Sequence, residues 1–362
     1  MPEKCNYYYV SPYLTKGWSD DGESVWWCNP QLGEDGREEP IDSLYNIAIP
    51  PIRDGRMKII EANEKFFGLL IDKLRAGDKT TVDLTDTEDR NAVLYQYLRA
   101  LSMFKLGYAR FMGARVLDLM NEYKGLDYYT VIEPSLNTIA DHATDTALSE
   151  YYALPAMDLK SRMLYAPEGR HFVFGATPVN VINPYFEKRF VKFSNTDKYF
   201  ILKGTIMILP VSPTSSLCFY DPDVYDFPEG DEKTVLSESD MDILNKLQIF
   251  TSEIDGGIVY KDGDEEYVRK LTKDFPQRPY RTGYEWLRAD RYPFWTMLSV
   301  LKIKDDAAKN LQKNLKSPIR PYSEKIKEYD SDWEERHGSF KGPDLLIRYE
   351  YAMGLLGKKA EE

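Results

Sequence analysis

The chain has 362 residues and a net charge of −12, with 43% hydrophobic and 29% charged residues. These fractions are typical of a globular protein and exclude extensive disorder. The negative net charge argues against nucleic-acid binding over the whole surface, because phosphate affinity comes from Lys and Arg. Three cysteines (Cys5, Cys28 and Cys218) form no CxxC pair, which argues against a disulfide framework or a structural zinc site. At this length we expect two domains, or one large domain with an appendage.

The N-terminal residues MPEKCNYYYV contain no apolar signal-peptide core, and no uninterrupted apolar run approaches the length of a membrane span. The sequence therefore predicts a soluble, cytoplasmic protein without membrane contact, located in the host cytoplasm if its gene is viral. No cofactor is predicted, because the sequence contains no P-loop, no GxGxxG after a strand, no HExxH and no GxSxG.

The first elements in chain order are short and extended. Residues 7–29 predict an extended segment, a polar turn at Asp20-Asp21-Gly22 and a short strand from Ser24 to Cys28, most simply a hairpin. The run 33–42 is rich in Gly, Glu and Asp, and is predicted to be a solvated loop.

Helical patterns follow. Apolar residues at helical spacing predict a helix over 57–76 with Gly77 as its C-cap. The sequence Thr85-Asp86-Thr87-Glu88 matches a capping box and predicts the start of a longer helix that runs to about Tyr123. A third helix is predicted over 134–152.

Residues 170–220 form the only long stretch that is typical of a sheet, because Val, Ile, Phe and Tyr are interrupted at short intervals by Gly, Pro and Asn-Pro. A solvated acidic loop over 221–232, a helix that begins at Ser237 and a last strand over 257–260 are predicted next. Since one sheet face needs a cover, the predicted fold is α+β: an antiparallel sheet of about five to seven strands covered by helices, with a mainly helical C-terminal subdomain.

We place the subdomain boundary near Thr272, which divides the chain into a core domain (1–272) and a basic, aromatic subdomain (273–362). Residues 267–325 carry fourteen Lys or Arg against six Asp or Glu, so their net charge is +8 and that of the remainder is −20. Cations interleave with aromatic rings at Arg278, Tyr280, Arg281, Tyr284, Trp286, Arg288, Arg291 and Trp295. This pattern suits contact with phosphates and bases, and it equally suits docking of the segment on the acidic main body.

Several phrases occur in a distinctive order: Tyr8-Tyr9-Val10-Ser11-Pro12-Tyr13-Leu14, Leu84 to Arg90, Phe172 to Val179, Leu209-Pro210-Val211-Ser212-Pro213, and Asn245. Their order resembles that of the family known as domain of unknown function 4238, over about residues 6–270. The family's opening His is Tyr8 here, and the Asp of its sheet phrase is Ala176. If those two residues act as a catalytic pair in the family, this chain has lost both titratable groups.

The three histidines limit the chemistry that the chain can perform. His142 and Asp145 lie one helical turn apart, but the sequence shows no partner cluster for them, and no metal site is predicted. His171 enters the sheet beside Arg170, where a structural imidazole is expected, and His337 is expected at the end of a surface helix.

Two function hypotheses remain open. The first is a non-catalytic binding or interaction protein that acts in a conflict between a virus or mobile element and its host. It would contact a protein or a nucleic acid through the basic C-terminal segment. The second is an enzyme of unrecognised type that acts on nucleic acid or nucleotide. Its candidate residues lie where the N-terminal segment would meet the sheet and the following helix: Tyr8, Ser11, Lys16, Thr177, Asn180, Ser212 and Asn245.

Overall fold

The computed structural model describes residues 5–30, 33–49, 56–97, 156–187, 203–227, 233–252, 257–273 and 298–313. They combine antiparallel and mixed sheets with helices, which confirms the α+β class. In chain order the strands are β1 (Cys5–Tyr8), β2 (Ser24–Asn29), β3 (Glu34–Pro40), β4 (Asn46–Ile49), β5 (Lys160–Tyr165), β6 (Asn180–Ile182), β7 (Ile206–Ser212), β8 (Ser215–Tyr220), β9 (Tyr225–Asp226), β10 (Thr234–Val235), β11 (Ile258–Tyr260) and β12 (Lys302–Ile303). The helices are α1 (Pro12–Thr15), α2 (Arg56–Ala76), α3 (87–97), α4 (Pro184–Glu187), α5 (Glu238–Thr251), α6 (Glu265–Thr272) and α7 (Asp305–Lys313).

The largest described sheet has the strand order β10-β5-β8-β7-β6. Nearly every residue of β7 and β8 is buried, and Leu209 lies opposite Leu217, so the sequence shows apolar runs over most of each strand, IMILPV in β7 and LCFY in β8. The pairs are antiparallel as predicted, except that β10 and β5 are parallel. Residues 170–179 were expected to be sheet, but among them the structure shows a single bridge, from Phe174 to Val259.

The predicted hairpin around Asp20-Asp21-Gly22 is wrong. β2 pairs with β3, and β1 pairs with β4, both antiparallel. The Asp21 carboxylate instead accepts backbone hydrogen bonds from Glu23 and Ser24 and so closes a local turn. The predicted loop over 33–42 is also wrong, because most of it is β3, an edge strand whose charged residues are partly or fully exposed.

Two predicted helix boundaries are confirmed. α2 covers the predicted helix over 57–76, and Gly77 ends it with φ 78°, in the left-handed region that favours glycine. Ser237 begins α5, where its Oγ accepts the backbone N–H of Asp240 at 3.1 Å. The apolar face of α5 is buried as expected, through Met241, Leu244 and Leu247.

The start of α3 differs from the predicted capping box by one residue. Asp86, and not Thr85, is the N-cap, because its Oδ1 accepts the backbone N–H of Asp89 at 3.0 Å. The continuation of this helix to about Tyr123 and the predicted helix over 134–152 lie outside the described residues. None of the helices among the described residues is both long and apolar enough to span a membrane.

The acidic loop over 221–232 is not solvated at its first residue. Asp221 is buried, and its carboxylate accepts the backbone N–H groups of Gly204 at 2.8 Å and Asp223 at 3.0 Å. These bonds satisfy the buried charge, which explains why an acidic residue is tolerated beside the sheet.

The small sheet with strand order β11-β2-β3 separates two apolar clusters. One face contributes to the main core through Val25, Trp27 and Val259. The opposite face is covered by α6, in a second cluster that contains Cys28, Val173, Ile249, Ile258, Tyr260, Val268 and Leu271. α6 is therefore held on this sheet by its own buried residues.

Residues 298–313, from the predicted C-terminal subdomain, pack on the main body. Leu298 and Leu301 belong to the main core, and β12 pairs with β9. α6 ends at Thr272, where the boundary was predicted, but residues 274–297 lie outside the described residues, so the division into a core domain and a subdomain stays a prediction.

Candidate functional site

A groove of about 920 Å³ opens between α6 and the loop around residue 170. Two turns border it, and each contains a glycine in the left-handed region, Gly169 at φ 72° and Gly263 at φ 88°, where other residues are strained. Among the described residues, the charged side chains that line the groove are four cations and two carboxylates: Arg170, Arg269, Lys270, Lys273, Asp264 and Glu266. The groove thus gathers more positive than negative charge in a chain whose net charge is negative.

The sequence of α6 explains how three of these cations reach the groove. Val268 and Leu271 are buried in the second cluster, whereas Arg269 and Lys270 are exposed. This alternation is the amphipathic pattern of a surface helix. The acidic first turn and basic last turn also complement the helix dipole, which stabilises α6 and concentrates the cations towards its C-terminal end.

Arg170 contributes the fourth cation from the other side of the groove. Its Nη2 lies 2.6 Å from Glu238 Oε2, and its guanidinium lies 4.9 Å from the centre of the Tyr267 ring. The stacking of a planar cation on an aromatic face fixes the side chain while leaving part of it exposed to solvent.

Tyr267 and Asn245 connect α6 to α5. The Tyr267 hydroxyl donates to Asp242 Oδ1 at 2.8 Å and accepts from Asn245 Nδ2 at 3.1 Å. Asn245 is fully buried; its Oδ1 accepts the backbone N–H of Val173, and its Nδ2 also donates to the carbonyl of His171. Burial is the main cause that raises the pKa of Tyr267, so the hydroxyl stays protonated and keeps its donor.

A His–Asp pair lies at the start of α6. His171 Nδ1 is 2.9 Å from Asp264 Oδ2, and Asp264 immediately precedes the helix. Burial raises the pKa of Asp264, and the charge of a protonated His171 opposes that shift. The imidazole therefore has a hydrogen-bond partner, and the pair ties the loop before Phe172 to α6.

The N-terminal enzyme candidates have separate local partners. The Tyr8 hydroxyl donates to the carbonyl of Asp42 at 3.4 Å. Ser11 Oγ donates to Glu64 and accepts the backbone N–H of Tyr13, as the N-cap of α1. The ammonium group of Lys16 lies 6.0 Å from the Tyr13 ring centre.

The remaining enzyme candidates form similar structural bonds. Thr177 Oγ1 donates to the carbonyl of Thr251 at 3.3 Å, and Asn180 Nδ2 donates to the carbonyl of Thr177 at 2.9 Å. Ser212 Oγ lies 2.7 Å from Ser215 Oγ. Among the hydrogen bonds of the described residues, the one between Asn180 and Thr177 alone joins two of the seven candidates, so a shared catalytic role stays a prediction.

The predicted binding residues Arg278, Tyr280, Arg281, Tyr284, Trp286, Arg288, Arg291 and Trp295 lie outside the described residues, as do His142, Asp145 and His337. The first cations of the same basic segment, Arg269, Lys270 and Lys273, line the groove. The contact of Arg170 with Tyr267 was not predicted, since it joins residues far apart in sequence. The sequence signal that predicts α6 and its exposed cations is the amphipathic pattern after Gly263, which ends in a basic turn.

Within the part of the chain that the structure describes, no group of three or more His, Cys, Asp or Glu side chains is placed to hold a metal ion. The chain matches no protein-family model, no curated protein and no solved structure. The resemblance to domain of unknown function 4238 therefore stays a prediction.

Proposed function

We propose that the protein is a non-catalytic binding protein that contacts the phosphate backbone of a nucleic acid in the groove beside α6. The observation that supports this function is the convergence of Arg170, Arg269, Lys270 and Lys273 on one concave surface. Lys and Arg neutralise phosphates and release their counterions, which supplies most sequence-independent affinity for nucleic acid.

The two carboxylates of the groove do not cancel this charge. Asp264 is half-buried and bonded to His171, so part of its charge is offset by that pair when the imidazole is protonated. Glu266 is exposed in the first turn of α6, whereas Arg269, Lys270 and Lys273 follow in or directly after its last turns. Three of the four cations are therefore grouped at the C-terminal end of α6, and such clustering is expected of a site that binds a phosphate backbone.

The position of the groove in the sequence supports the same function. Arg278, the first of the predicted phosphate- and base-contacting residues, lies five positions after Lys273 in the sequence. The later part of the basic segment contacts the main body of the protein instead. Lys304 lies 3.3 Å from Asp226, and the backbone N–H of Ser299 donates to Asp240. Residues 298–313 are thus docked on the main body. In the groove, Arg170 pairs with Glu238 and Arg269 lies 3.8 Å from the exposed Asp35, whereas Lys270 and Lys273 are exposed at the end of α6.

The test is a binding titration of labelled single-stranded and duplex oligonucleotides at low salt. We expect the double substitution Lys270→Ala/Lys273→Ala to weaken binding of every sequence by a similar factor of about tenfold or more, because phosphate contacts carry no sequence information. Lys309→Ala is the matched control, since this exposed lysine lies on α7 away from the groove and beside Asp306.

Absence of binding at low salt, or equal losses in the groove variant and the Lys309→Ala control, would refute the proposal. Polyglutamate measured in parallel separates the type of partner. Competition by polyglutamate as effective as that by nucleic acid would indicate an acidic protein in the groove and would also contradict a nucleic-acid function.

A further inference from the structure

Arg170 lies in the wall of the groove, and the fold holds its backbone in place. The backbone N–H of Arg170 donates to the carbonyl of Pro167 at 3.1 Å, which closes the turn that contains Gly169. The carbonyl of the next residue, His171, accepts a hydrogen bond from Asn245 at 2.9 Å. The point from which the Arg170 side chain extends is therefore defined by hydrogen bonds on both sides.

The guanidinium of Arg170 is held by both α5 and α6. Its Nη2 lies 2.6 Å from Glu238 Oε2 in α5, and its central carbon lies 4.9 Å from the centre of the Tyr267 ring in α6. The Tyr267 hydroxyl is bonded in turn to Asp242 and Asn245, so the ring has a fixed position. A guanidinium is planar, and here the carboxylate contacts one edge of the plane while the ring supports one face.

The opposite side of this plane is directed towards open space. Among the described residues, Glu238 and Tyr267 are the ion-pair and ring partners of Arg170, and its side chain is 28% exposed where it lines the groove. A Cβ added at Gly169 would meet none of the described atoms within 4 Å, so the turn does not fill the space beside Arg170. A flat ligand group can therefore lie on the guanidinium from the groove.

The cations of α6 follow this pair along one side of the helix. Lys270 lies three residues after Tyr267, and Lys273 lies three residues after Lys270. Residues three apart are neighbours on a helix surface, with about 5–6 Å between their Cβ atoms. A strand whose phosphates contact Lys270 and Lys273 therefore passes beside the Arg170–Tyr267 pair.

The flat groups of a nucleic-acid strand are its bases, and unpaired bases stack on aromatic rings and on the guanidinium planes of arginine. We propose that Arg170, supported by Tyr267, is a stacking platform for an unpaired base of a strand whose phosphates contact Lys270 and Lys273. The proposal depends on the proposed function, because the groove holds the strand. It adds a contact with the bases, which phosphate binding alone does not provide.

The test compares a single-stranded oligonucleotide with an abasic oligomer of the same length by fluorescence anisotropy. We expect the unsubstituted protein to bind the base-containing strand about fivefold or more tightly than the abasic one. Arg170→Lys keeps the positive charge and a donor for Glu238 but lacks the plane, so it should remove most of this ratio.

The two Tyr267 variants are matched to each other, since both lose the bonds to Asp242 and Asn245. Tyr267→Phe keeps the ring below Arg170 and should keep the ratio, whereas Tyr267→Ala should lose it. Lys270→Ala/Lys273→Ala should weaken the binding of both oligomers and leave their ratio unchanged. Melting temperatures check that each variant is folded; a purely structural Arg170 would change the melting temperature of Arg170→Lys without changing the ratio.

Equal affinity of the unsubstituted protein for the two oligomers, with Lys270→Ala/Lys273→Ala still weakening both, would refute the stacking platform and leave the groove function intact. A ratio that survives both Arg170→Lys and Tyr267→Ala would refute it as well, because the bases would then be bound elsewhere. Absence of binding to either oligomer would overturn the proposed function and this proposal with it.

Discussion

The contacts of α2 and α6 with the rest of the protein use cations in opposite ways. In α2, the Arg75 guanidinium donates to the carbonyls of Val211, Tyr13 and Leu14 at 2.7–2.8 Å. In α6, the attachment depends on buried apolar residues and on the hydroxyl of Tyr267, while the cations are exposed. A positively charged residue therefore indicates a binding surface only where the fold does not already use its donors.

Replacement of Arg75 should give the largest effect on stability. Arg75→Ala leaves three backbone carbonyls without their donors between α1, α2 and β7, and we expect the free energy of unfolding to fall by about 3 kcal/mol. Arg75→Lys is the matched control and should recover only part of the loss, since an ammonium lacks the planar arrangement of donors. Chemical denaturation measures both. A change below about 0.5 kcal/mol for Arg75→Ala, the usual range for surface substitutions, would contradict the structural role.

Asn245→Ala should have the next largest effect. The substitution removes the buried partner of the Val173 N–H and of the His171 carbonyl, and we expect a loss of about 2 kcal/mol. Asn245→Asp, of the same shape, keeps the acceptor for Val173 but loses the donor for His171, so its effect should also be destabilising. If Asn245→Ala instead abolished an activity while stability stayed unchanged, the catalytic hypothesis for this residue would replace the structural one.

Tyr267→Phe should produce a smaller effect of about 1 kcal/mol, because it removes the hydroxyl between Asp242 and Asn245 but keeps the ring against Arg170. Nucleic-acid affinity should change little, since the ring that fixes Arg170 remains. Tyr267→Ala, which removes the ring as well, should weaken binding. Equal affinities for the Phe and Ala variants would show that the stacked Arg170 does not contribute to the groove.

A pH effect of small size is expected at Asp264. Burial raises its pKa, so the folded state holds the proton more tightly than the unfolded state. The stabilisation that this provides is present below the ordinary carboxyl pKa and is lost as the pH rises through the raised value. Melting temperatures of Asp264→Asn and of the unsubstituted protein, compared upward from about pH 4, should therefore diverge in favour of the variant. The opposite trend would indicate that pairing with His171 outweighs burial.

The sequence was most informative where a strand or helix has an apolar pattern. Leu209 and Leu217 lie in strands buried on both faces, and the apolar runs IMILPV and LCFY in these strands predicted sheet correctly. β3 was missed because an edge strand that faces solvent has the composition of a loop. The turn at Asp21 resembled a hairpin because local hydrogen bonding forms it without any pairing of the flanking strands.

The candidate site was predictable only in part. The sequence showed that residues 267–325, which include Lys270 and Lys273, are basic, because clustered charge is visible in a sequence, but the predicted contact residues began only at Arg278. The contribution of Arg170 was not visible, since it reaches the groove through the fold. Asn245 was a candidate from the family resemblance, and its side chain proves to bond to backbone groups that hold the loop around His171.

Phosphate binding in the groove is tested by the salt dependence of single-strand binding, measured for the unsubstituted protein, for Arg269→Ala/Lys270→Ala/Lys273→Ala and for Lys309→Ala. For the triple variant we expect the slope of log Kobs against log salt to become shallower by about 2, since each lost phosphate contact on a single strand removes about 0.7. The melting temperature should fall only slightly, because these exposed side chains complement the dipole of α6 but do not attach the helix to the core. An unchanged slope in the triple variant, or an equal reduction in Lys309→Ala, would contradict phosphate binding in the groove.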